Sequence, residues 1–154
     1  MNELEPIEKK AKSLRRIFWL VLLMQVVLFL FVVFVGISVS PVDKEILVPI
    51  QGAVVLYTLA MIPLSLKLFQ LRCAKIDEST PLFQRLERYS SLYLWRLAAI
   101  SSIPVINECL FLFSGNKSEL TMALIGALAL AFCMTSAEQI KIELKLIQDD
   151  AAES

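Results

Sequence analysis

Four long apolar runs fill most of this chain, and almost every charge lies outside them. Each run is close to the roughly 20 residues a helix needs to cross a hydrocarbon core about 30 Å thick. The pattern predicts spans at about 17–38, 46–67, 93–114 and 119–139 of the 154 residues. Hydrophobic residues make up 57% and charged residues 19%, below the quarter or so charged in an ordinary soluble domain. Four spans leave little chain for anything else, so 1–154 reads as a single membrane domain. The first run is too long for the apolar core of a cleaved signal peptide and reads as a span.

Lysine and arginine set the orientation. Thirteen of the fifteen lie in the N-terminal tail, in the middle connection with its flanks, or in the C-terminal tail. Only Lys44 and Lys117 fall in the other two connections. The positive-inside rule then puts both termini and the middle loop in the cytoplasm, in a multi-pass protein of a cell membrane, with a bacterial inner membrane expected. Arg15, Arg16, Lys67, Arg72 and Arg96 would form an interfacial basic collar, with Arg96 snorkelling to the inner interface. The net charge is zero, which gives no case for nucleic-acid binding.

The expected fold is all-α: a four-helix transmembrane bundle made of two antiparallel hairpins, one–two and three–four, with helical extensions into the cytoplasm. Residues 67–95 read as a cytoplasmic helical hairpin broken near Asp77-Glu78-Ser79-Thr80-Pro81. Thr80 would cap the third helix and Pro81 suit its first turn. Alternatively, residues 82–93 lie flat on the membrane, with Tyr89, Tyr93 and Trp95 among the headgroups. The fourth helix is expected to run on into the tail. Gly36 with Gly115, and Gly52 with Gly126, hint at an internal duplication.

Glu108 is the sharpest chemical feature, because a carboxyl inside a span is costly. Counting depth from the span ends places Gln51 at its level, with Asn107 adjacent. Thr58 falls level with Ser101 and Ser102, with Gln25 close to that layer, and deeper still Ser65 falls level with Arg96. Gln51, Thr58 and Ser65 recur every seven residues on one face, as do Ser101 and Glu108. If the faces meet, they form a polar seam. The seam is interhelical glue on one reading, and a proton or ion path or ligand pocket on the other. Cys73, Cys109 and Cys133 lack paired spacing and read as small apolar fillers. No phosphate-binding glycine loop, paired carboxylates or metal-ligand cluster occurs, so no cofactor and no enzymatic activity are expected.

Three segments of the second half carry a resemblance: Arg96 opening the third span, Leu112-Phe113-Ser114-Gly115-Asn116 closing it, and Thr135-Ser136-Ala137-Glu138-Gln139-Ile140 with Leu144 beyond the fourth. Over roughly 93–146 the chain resembles small uncharacterised four-span inner-membrane proteins of Bacteroidetes-type bacteria. Similar proteins often have a Glu five residues after the arginine, where this chain has Ser101. The resemblance implies location and topology and no activity. Taken together, the sequence points to a non-enzymatic small subunit or scaffold acting by helix association. The alternative is a small proton- or ion-coupled carrier, or a ligand-binding membrane protein, built around Glu108. The expected partners are the lipid bilayer and a homo-oligomer or larger membrane complex.

Overall fold

The computed structural model describes residues 4–36 and 44–144. The first outer connection and the end of the C-terminal tail, both addressed by the sequence reading, lie outside the described residues. Five helices and no strand occur among the described residues: α1 Leu4–Gly36, α2 Lys44–Cys73, α3 Leu82–Ser114, α4 Lys117–Ala131 and α5 Ala137–Glu143. Three of them, α1, α2 and α3, are long and apolar enough to cross a membrane.

Helix α3 is the axis of the molecule. It packs against α1, α2 and α4, whereas α1 and α2 are not a packed pair. The expected hairpin of spans one and two is therefore corrected. The antiparallel neighbours are α2 with α3 and α3 with α4. Buried positions on α1 are Ile7, Ala11, Leu14, Phe18, Gln25 and Val32, at three-, four- and seven-residue steps. That spacing is a narrow coiled-coil-like seam, and it faces α3. The other faces of α1 and α2 carry large uncovered apolar side chains, among them Leu23, Met24, Phe34, Ile46 and Leu56. Such a surface is unfavourable in water, at about 25 cal/mol for each Å² left exposed. A bilayer removes that cost.

The best-packed core sits at the end where α1 begins and α2 ends. Leu14 and Phe18 of α1 and Phe69 of α2 meet Leu86, Tyr89, Tyr93 and Leu97 of α3 there. Ile140 and Leu144 from the last helix and its cap complete the cluster. Tyr89 and Tyr93 are fully buried, so the start of α3 is part of this bundle and does not lie flat with its tyrosines among headgroups. The turn between α2 and α3 closes by backbone hydrogen bonds, including Thr80 N–H to Asp77 C=O at 3.2 Å. Thr80 is not the cap. Pro81 occupies that position, and no side chain caps the helix.

The fourth apolar run does not form the expected continuous helix over 119–139. Helix α4 has 15 residues, about 22 Å at 1.5 Å per residue, short of a hydrocarbon core about 30 Å thick. It does not continue into the tail. Phe132 ends it, and Cys133 N–H closes tightly onto Leu130 C=O at 2.9 Å. Helix α5 restarts with a reciprocal capping box: Ser136 Oγ accepts from Gln139 N–H while the Gln139 side chain accepts from Ser136 N–H. Each bond satisfies an amide that the first turn of a helix leaves open.

At the other end of α3, Gly115 takes a left-handed conformation, φ 63°, and its N–H returns to Phe111 C=O. Asn116 then caps α4, accepting from Ser118 N–H at 3.1 Å. One chain reversal over Gly115 and Asn116 brings α4 straight back along α3. The glycines paired by the suggested duplication have unlike surroundings. A Cβ at Gly52 would meet nothing within 4 Å, whereas one at Gly126 would lie 2.8 Å from Ile103 Cγ2 and 2.9 Å from Pro104 Cδ. Gly126→Ala is therefore expected to destabilise the detergent-solubilised protein by about 1–3 kcal/mol through overpacking. Gly52→Ala should leave stability unchanged or raise it by about 0.5–1 kcal/mol through helix propensity. Thermal unfolding of the two variants side by side checks both.

Candidate functional site

The buried polar groups form two layers, both built on α3. Residues 107 and 108 are neighbours on a helix, so their side chains leave the axis about 100° apart. Each serves a different partner helix. Glu108, 1% exposed, turns to α1, where Gln25 Nε2 donates to its Oε1 at 2.6 Å. Asn107 turns to α2, and its Nδ2 donates to Thr58 Oγ1 at 3.1 Å and to Ile103 C=O of its own helix at 2.8 Å. Nearby, Tyr57 Oη and Ser102 Oγ are 2.8 Å apart.

Of the expected seam residues, Gln25 meets Glu108 and Thr58 meets Asn107, on different faces of α3. Gln51 and Ser101 join neither pair. Gln51 is half-buried and makes no hydrogen bond to Glu108. Ser101 donates to Ala98 C=O within its own helix. Depth counting placed α2 and α3 in nearly the right register, but it could not tell which face of α3 meets α2. The face bearing Ser102 and Asn107 does so, and Glu108 is left to α1. Glu108 Oε2 and Asn107 Oδ1 are buried without a protein hydrogen-bond partner. Glu119, in the first turn of α4, is also buried, with Oε2 unpartnered. The sequence reading missed it. An acid in a helix's first turn suits the positive end of the dipole, and that was the available signal.

The second layer lies in the well-packed end and holds the break between α4 and α5. Arg85, Tyr89, Tyr93 and Arg96 stand on one stripe of α3. Tyr93 Oη donates to Cys133 C=O at 2.9 Å, and Arg96 Nη2 donates to the same oxygen at 3.2 Å. Arg96 is 8% exposed, its guanidinium 4.1 Å from the Phe69 ring centroid and 5.3 Å from that of Tyr93. The expected snorkelling is overturned: two aromatic faces and a freed carbonyl hold the cation inside the protein. Tyr89 Oη donates to Glu143 Oε2 at 2.5 Å and lies 3.1 Å from Thr135 Oγ1. With its one proton given to the carboxylate, the phenol accepts from the threonine. Arg85 Nη2 donates to Leu144 C=O.

Arg15, Arg16, Lys67 and Arg72, the other residues of the expected collar, are exposed. The cysteines divide. Cys73 and Cys133 are buried fillers, but Cys109 is exposed on the apolar exterior. No group of three or more His, Cys, Asp or Glu suited to a metal occurs among the described residues.

Arg96, Thr135, Ser136, Gln139, Ile140 and Leu144, quoted above for the resemblance, all belong to this second layer or to the α5 start it holds. Against known proteins, no family model, no curated protein and no solved structure matches the chain.

Tyr89→Phe removes both hydrogen bonds of the phenol and leaves the Glu143 carboxylate and the Thr135 hydroxyl without them. A loss of about 1–3 kcal/mol is expected. It should be local. Hydrogen exchange should accelerate across 133–144, while amides in the middle of α3 keep their protection. Uniform acceleration throughout would show that the layer holds the whole bundle and not α5 alone.

Proposed function

We propose that this chain is an integral membrane protein that works by helix association, as a small subunit or scaffold and not as an enzyme. It would cross the membrane four times, with α4 as a short fourth element and both termini in the cytoplasm. The observation that carries the reading is the exterior of α1 and α2. Each commits one narrow seam to α3 and leaves the rest of a long apolar surface uncovered. On α1 this surface includes a groove of about 580 Å³ lined by Arg16, Trp19, Leu20, Leu22, Leu23 and Val26. Lipid satisfies such a surface, and so does a neighbouring helix. Association in a membrane relies on packing and on scattered interhelical hydrogen bonds, each worth about 0.6–2 kcal/mol. The Gln25–Glu108 and Thr58–Asn107 pairs serve that purpose within the chain.

A carrier is the second reading, favoured by the two buried oxygens of Glu108 and Asn107 that lack a protein partner. Glu108→Gln separates the readings. The scaffold reading expects the variant to assemble like the parent, by native mass in mild detergent, with pH-driven flux in proteoliposomes absent from both. The carrier reading expects flux in the parent and its loss in the variant. Leu23→Trp, on the uncovered face of α1, should shift the assembly state at constant helix content. A parent that is monomeric and soluble without detergent would sink both readings.

A further inference from the structure

One polar pocket lies outside both layers. It opens where the end of α2 passes the start of α3, with a volume of about 280 Å³, and Arg72, Lys75, Ile76, Arg88, Ser91 and Leu92 line it. Three of the six are cations and none is an acid. Arg72 lies in the last turn of α2 and Lys75 just beyond it, while Arg88 and Ser91 are one turn apart on α3, and all four line the opening.

The backbone around the pocket is already satisfied. Ala74, Lys75 and Ile76 N–H groups take the carbonyls of Gln70, Arg72 and Cys73. An entering anion therefore meets side-chain donors and not the bare negative end of α2. Asp77, the acid next along the chain, is held by Ser79, whose N–H donates to its Oδ1 at 3.0 Å. Those Ser79 hydrogen bonds, with the positive field of Arg88 and Arg85 added, keep the Asp77 carboxyl below its usual range.

The pocket also touches the apolar exterior. The Arg72 guanidinium stands 5.7 Å from the ring centroid of Trp95, which is 41% exposed, and Leu71 and Leu94 are exposed beside it. An exposed tryptophan between a cationic cluster and a greasy helix face is the pattern of a membrane–water interface. Such a cluster suits a phosphate, and the adjoining apolar faces of α2 and α3 suit acyl chains. A soluble phosphate would use only the first of these.

We propose that this pocket binds the phosphate of an anionic phospholipid headgroup, through Arg72, Lys75 and Arg88 with Ser91 as a neutral donor. The assignment rests on the membrane reading above, and the test keeps the two apart. The full chain is reconstituted into nanodiscs of phosphatidylcholine with or without phosphatidylglycerol, and bound lipid is counted by native mass spectrometry after release. Retention of phosphatidylglycerol over phosphatidylcholine is expected. Arg72→Gln, Lys75→Gln and Arg88→Gln should each weaken it about five-fold, and the triple variant about a hundred-fold. Lys9→Gln with Lys12→Gln, cations on α1 away from the pocket, should change nothing.

Each variant is read only where its helix content in phosphatidylcholine nanodiscs matches the parent. The single variants carry the test if the triple variant does not fold. Equal retention of both lipids, or full retention by variants that fold, overturns the pocket and leaves the membrane reading intact. Displacement of the lipid by inorganic phosphate at matched concentration overturns the lipid assignment in favour of a soluble ligand. Failure to enter nanodiscs at all overturns the membrane reading, and the lipid site with it.

Discussion

The carbonyl of Cys133 is the group on which this architecture turns. A helix that stops inside a protein leaves carbonyls without amide partners, and a buried one costs as much as a lost hydrogen bond. Here α3 supplies two donors to that single oxygen, the Tyr93 hydroxyl and the Arg96 guanidinium. The charge on Arg96 would itself be expensive to bury, and the Phe69 and Tyr93 rings offset part of that cost. Break and cation thus make each other tolerable. Once α4 can stop there, the chain turns, Ser136 starts α5, and Ile140 and Leu144 fill the core between α1 and α3.

This arrangement divides the molecule into two regimes. At the end holding the break, side chains from all five helices make a core like that of a soluble protein. Toward the other end, α1 and α2 each keep one seam against α3 and turn the rest of their circumference outward. Sparse polar pairs hold that region: Gln25 with Glu108, Thr58 with Asn107, Tyr57 with Ser102. Polar contacts matter more there because apolar burial between helices gains little in a medium as greasy as the helices themselves.

The sequence made much of this legible, and its failures have physical causes. Apolar run length located α1, α2 and the greater part of α3, because only a helix satisfies its own backbone over twenty greasy residues. Of the seven-residue recurrence of Gln51, Thr58 and Ser65, the last two are buried and Thr58 meets Asn107 of α3, while Gln51 is only half-buried. Rotation of α3 was not legible. Hydrophobicity is nearly uniform around such helices, so whether residue 107 or 108 faces α2 depends on packing that no periodicity records. The break in α4 was missed because Phe132-Cys133-Met134 contains neither glycine nor proline. The Ser136 to Gln139 spacing did carry a helix-start signal, but continuous hydropathy up to Ala137 outweighed it. Arg96 was expected to snorkel to the inner interface, since nothing in its local sequence announces the aromatic faces and the carbonyl that receive it.

The brevity of α4 has a consequence for the surrounding lipid. In the four-span arrangement proposed here, α1 offers an apolar stretch of about 30 Å, from Ile17 to Gly36, while α4 offers about 22 Å. Acyl chains beside α4 must compress to match it, so the bilayer thins on one flank only. Phe132, 88% exposed at the foot of the helix, then sits where that thinned leaflet meets water. In that arrangement a lopsided dimple would favour other poorly matched helices on the same flank, before any specific contact forms.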